Sequence, residues 1–92
     1  MLNSERESKI VPTFDYVDWR DEVKVAPIFT VYYDTSDFPK KYACRLFDLQ
    51  EPTKYITVAD TLEEIRKTIP GEFHVCILRA AIDDPVIVET WL

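Results

Sequence analysis

The chain holds a single glycine, Gly71, and that scarcity excludes whole classes of chemistry. Loops that cradle phosphates, and the fingerprints that bind dinucleotides, need several glycines in one short run so that backbone can approach the phosphate. Cysteine is sparse as well. Cys44 and Cys76 are the only two, far apart in the chain, and the tight C-x₂-C spacing of zinc sites is missing. No stretch approaches the ~20 apolar residues of a membrane span, and residues 1–8 lack the apolar core of a secretion signal. Positive charge is in the minority: 11 Lys and Arg stand against 17 Asp and Glu, a net charge of −6. That balance argues against nucleic acid, whose phosphates are neutralised by Lys and Arg, and against an anionic membrane surface. The expected location is cytoplasmic, with both cysteines as buried thiols rather than a disulfide.

What the sequence does contain is ring-bearing and apolar. Hydrophobic residues make up 47% and aromatics 13% of 92 residues, enough for one globular domain. A domain of this length buries roughly two-thirds of its unfolded surface, so its core is thin and pairing with another surface is a natural supplement. Three zones follow. Residues 1–9 form a polar, flexible tail, and residues 10–27 an aromatic arm or edge strand. Residues 28–92 form an α+β domain.

Within that domain, Ile28–Tyr33 and Tyr42–Phe47 are rich in β-branched and aromatic residues, and the polar turn Thr35–Lys40 between them predicts a hairpin. Tyr55–Val58 is a short third strand. Residues 60–69 read as a helix: Asp60 suits the N-cap, Glu63 follows three residues later, and Leu62, Ile65 and Ile69 form one apolar stripe. Pro70 and Gly71 end it. Phe73–Leu78 and Val86–Leu92 complete the strands, separated by a loop at Ala80–Pro85. The order β-β-(β)-α-β-β predicts a two-layer sandwich, a four- or five-stranded and mainly antiparallel sheet with one short helix. One such helix covers one face, so the other is expected to meet residues 10–27, a second subunit or a partner.

Three segments carry a resemblance: Lys41–Asp48; Val58–Arg66 with Ile69-Pro70; and Asp83–Trp91. Together they make residues 28–92 resemble a group of small uncharacterised bacterial proteins. The resemblance implies a bacterial or phage origin and a stand-alone small domain, and it transfers no activity and no site residue.

Candidate chemistry is thin. His74 and Cys76 point to one side of a strand, yet sit roughly 7 Å apart at Cα, which is marginal for a thiol–imidazole pair. Cys44, His74 and Cys76 would need a fourth, carboxylate ligand to hold zinc. Asp83-Asp84-Pro85 reads as a turn and Glu63-Glu64 as a helix start, so no acid–base pair emerges. No catalytic residue, cofactor or metal is assigned. Arg45 and Arg79, within or at the end of apolar strands, read as long side chains reaching solvent from a sheet edge, stacking on Tyr42 or Phe47 or pairing with Glu89 or Asp48, and are candidates for anion binding. Phe14, Tyr16 and Trp19 alternate with acids; their rings either complete the domain's own thin core or are candidate interface anchors. The leading expectation is a non-enzymatic protein-interaction domain that self-associates as a homodimer, its partner being itself or another protein. One alternative is an acidic inhibitor or nucleic-acid mimic of phage type. Another is a ligand binder or enzyme with a pocket containing Arg45, Arg79 and His74.

Overall fold

The computed structural model describes residues 9–16, 18–78 and 86–92. Its elements run β1 (Lys9–Ile10), a 3₁₀ turn (Phe14–Tyr16), α1 (Trp19–Glu22), β2 (Pro27–Tyr33), β3 (Tyr42–Asp48), β4 (Glu51–Ala59), α2 (Leu62–Arg66), β5 (Cys76–Leu78) and β6 (Ile87–Trp91). The α+β class holds. The strand count is corrected: the sheet has six strands in the order β1-β4-β3-β2-β6-β5, and it is mixed, because β1 runs parallel to β4 while the other pairs are antiparallel. The additional strand comes from the junction of tail and arm. Lys9 lies opposite Tyr55 and Ile10 opposite Ile56.

Directly opposed residues share a face, and the register sorts the side chains. Cys44 faces Val31 and Thr57, and Val31 faces Glu89, so these side chains stand on the helix side. There Phe29, Val31, Cys44 and Leu46 pack with Ile65, Ile69 and Phe14 in one core. The rings of Phe14 and Phe73 lie 4.9 Å and 4.8 Å from that of Phe29. The opposite face carries Thr30, Tyr32, Ala43, Arg45 and Ile56, all buried. The centre of this face, expected to meet residues 10–27, a second subunit or a partner, is buried within the single chain.

The apolar stripe of α2 lies where its periodicity puts it, with Ile65 and Ile69 buried and Leu62 packed against the core. Its cap is corrected from Asp60 to Thr61. Thr61 has extended backbone (φ −128°, ψ 158°) and its side chain accepts the Glu64 N–H at 3.1 Å, while its hydroxyl donates to Glu64 Oε1 at 3.0 Å. Asp60 is used elsewhere, in an ion pair with Lys41. The helix is shorter than residues 60–69. Past Arg66 the N–H groups of Thr68 and Ile69 bond to the carbonyls three residues back, which tightens the last turn and still swings Ile69 inward. β5 is also shorter than Phe73–Leu78, because Phe73 turns into the core before the strand begins.

Candidate functional site

A group of interacting polar side chains lies at the foot of α2. β6 carries Glu89 to the helix side of the sheet, opposite Val31 on one flank and Leu78 on the other. Its side chain is 1% exposed. A carboxylate so placed must be fully bonded to be tolerated. Arg66, in the last turn of α2, supplies a fork: Nε donates to Oε2 at 2.9 Å and Nη2 to Oε1 at 2.7 Å. Trp91 Nε1 donates to Oε2 at 2.6 Å. The Arg66 hydrogen bonds are the main cause of a lowered Glu89 pKa; burial opposes them, and the Trp91 and Cys76 donors add to them. Glu89 is thus a fixed negative charge that ties helix, central sheet and β5 together.

That charge sets the chemistry of both thiols. Burial first, and Glu89 second, push Cys44 well above the ordinary thiol range. The same two causes raise Cys76, with Arg66 opposing. Thiolate nucleophiles and metal ligands require the opposite shift. The expectation that both cysteines are buried is corrected: both are free thiols, Cys44 buried but Cys76 exposed. The cause is the position of β5 at the end of the sheet, where no further strand covers it among the described residues.

A second polar device anchors the arm. Asp48, at the end of β3, accepts the N–H groups of Lys24 (2.9 Å), Val25 (2.8 Å) and Ala26 (3.0 Å). The Lys24 bond, with Val25 and Ala26 reinforcing it against partial desolvation, lowers its pKa. A shallow groove of about 430 Å³ lies between α2 and the end of β4, lined by Pro12, Lys41, Val58, Ala59, Asp60, Glu64 and Thr68.

The candidate residues are dispersed. Phe14 is fully buried in the core and Tyr16 is exposed. Trp19 opens α1, and its side chain lies outside the described residues, as does all of Arg79 and the turn Asp83-Asp84-Pro85. Arg45 is 2% exposed on the face away from α2, where Nη1 donates to the Thr53 carbonyl at 2.5 Å. Sheet parity explains why Glu89 pairs with Arg66: Arg45 and Glu89 occupy opposite faces. His74 is exposed ahead of β5, three strand positions away from Arg45 along the sheet. Among the described residues no cluster of three or more His, Cys, Asp or Glu is placed to hold a metal ion, and no helix is long and apolar enough to cross a membrane.

Sequence reasoning missed one feature, the apolar end of the sheet. Val75, Ile77 and Leu78 are 54%, 50% and 72% exposed. Their sequence reads as core strand, and only the strand order reveals the edge. Compared with protein-family models, with curated proteins and with solved structures, the chain matches none.

Proposed function

We propose that this chain is a protein-interaction domain without catalytic chemistry of its own, and that it self-associates. The observation that carries the reading is the clustering of exposed aliphatic side chains at one end of the sheet, at Val75, Ile77 and Leu78. Single exposed aliphatics are ordinary on a protein surface, whereas an edge strand that carries them on both faces points to contact with another chain. The thiols support the absence of chemistry, since burial and Glu89 hold both of them protonated at neutral pH. Mixed signs among the described residues favour this reading over mimicry of nucleic acid: Arg20 pairs with Glu72, Lys41 with Asp60 and Lys67 with Glu63, so these acids stand beside bases.

The test is the mass of the full-length chain in solution from micromolar to millimolar concentration, by light scattering and sedimentation. A concentration-dependent rise toward twice the chain mass is expected. A monomeric mass throughout removes the self-association. Deleting residues 1–27 is not a usable control, because Phe14 belongs to the core.

A further inference from the structure

We infer that self-association runs through β5, two copies pairing their edge strands antiparallel about a two-fold axis at Ile77; the inference rests on the self-association proposed above. The two ends of the sheet are guarded differently. β1, at one end, is two residues long, carries Lys9 and is followed closely by Pro12. A charge, a proline and extreme shortness are the devices that block edge pairing. β5, at the other end, has none of the chemical guards. Val75 to Leu78 carries no charge and no proline, and the β5–β6 register runs without a bulge.

The hydrogen-bonding groups of this edge are self-complementary. Leu92 N–H donates to the Val75 carbonyl at 2.9 Å, so Val75, and by alternation Ile77, direct their backbone groups toward β6. Cys76 and Leu78 then present N–H and C=O outward. Neither residue's backbone bonds outside the β5–β6 ladder among the described residues. A two-fold axis at Ile77 sets Cys76 of one copy against Leu78 of the other, twice, and all four outward groups find partners. An unrelated strand would satisfy the same backbone groups, but a second copy also matches the side chains. Ile77 meets Ile77 on one face, and Cys76 meets Leu78 on the other. A chain of net charge −6 repels its copies over most of its surface, and this neutral segment is where that repulsion is least direct.

A three-residue edge buries far less than the ~1,000 Å² of a stable interface, so the contact is weak and exchanges rapidly. It is tested on the full chain by sedimentation over about 10 µM to 1 mM, together with amide exchange of the same samples by NMR. Dimer is expected to grow with concentration. Exchange at Cys76 and Leu78 should slow in parallel, while Ile77, already in the ladder, stays unchanged. Ile77→Lys, which brings two like charges together on the axis, should abolish both effects, and Leu78→Lys serves if that variant folds poorly. Ile77→Cys on a Cys76→Ser background should oxidise to a disulfide-linked dimer much faster than a Leu49→Cys control, because residues on the axis approach to about 4.5 Å at Cα. A dimer that survives Ile77→Lys with Cys76 and Leu78 exchange unaltered overturns the β5 pairing and leaves self-association standing. A monomer at every concentration overturns both.

Discussion

On the β4 flank of the sheet, helix α2 rests on aliphatic side chains. Ile65 and Ile69 sink into the core, and Thr68 fastens the helix end by bonding Thr57 at 2.8 Å and the Ile65 carbonyl at 2.7 Å. The arm joins the same flank, with the Phe14 N–H bonded to the Thr68 carbonyl and the Phe14 ring against Phe29. On the β6 flank the helix reaches the sheet through one arginine, whose guanidinium is 45% exposed and grips a carboxylate that is 1% exposed. The first flank is stabilised by removing apolar surface from water, and its strength scales with area. The second depends on one bonded charge, whose removal leaves its neighbours unsatisfied. A thin core explains the difference: apolar volume is concentrated over β2, β3 and β4, and little remains for the end of the sheet.

The comparison can be broken at its strong side first. Phe14→Ala should cost about 4 kcal/mol in urea unfolding, the usual range for emptying a buried phenylalanine site. A loss below about 1 kcal/mol would show that the arm is an appendage to this core and not a part of it. Glu89→Ala should cost about 2 kcal/mol, less than a fully buried pair because the half-exposed Arg66 can turn to water. A neutral result would mean that packing alone holds the β6 flank. Asp48→Asn should lower stability at neutral pH by less than Glu89→Ala does, through weaker acceptance of three backbone N–H groups.

The pH dependence of that third variant has a definite sign. The folded pKa of Asp48 is depressed, so its contribution is fully present above the unfolded value of about 4 and fades as pH falls through the folded value. Unfolding curves of wild type and Asp48→Asn should stay a constant distance apart above about pH 5 and converge in acid. A gap that widens in acid would contradict the role given to the carboxylate. The smallest effect belongs to β5, where Leu78→Lys should move stability by less than about 0.5 kcal/mol. A thiol reagent should label Cys76 in the native protein and reach Cys44 only on unfolding. Native labelling of both would show that the β3 region opens readily.

Much of the sheet was legible because its signals are local. The β2–β3 hairpin follows from two apolar runs about a polar turn, and the α2 stripe from Leu62, Ile65 and Ile69. The cap was ambiguous for a physical reason. Asp60 with Glu63 and Thr61 with Glu64 have the same spacing, and the choice is made by Lys41, which engages Asp60 from another element. The start of β4, which runs from Glu51 where the pattern predicts a strand only from Tyr55, is hidden by its turn: Leu49 adopts a left-handed φ of 57°, a conformation that leucine does not advertise, and proline at position 52 disfavours a strand. The parallel pairing of β1 with β4 and the Glu89–Arg66 pair were illegible because both depend on strand order and parity, which a linear pattern does not contain. The candidate residues chosen for their chemistry scattered accordingly. The exposed edge escaped notice because an edge strand and a core strand of this composition read alike.

The parallel pairing of Lys9 with Tyr55 bears on the order in which the structure can assemble. The hairpins β2–β3 and β3–β4 join neighbours in the chain and close short loops, whereas β1 has no partner until β4 is in place. The arm leaves the ribosome before β4 and is therefore among the last segments to dock. Until Ile65, Thr68 and Ile69 have been synthesised, Phe14 has no completed site to enter, and the nascent chain carries that ring exposed. Its neighbours Asp15, Asp18 and Asp21 are acidic, and their charge keeps the waiting segment hydrated and apart from other chains.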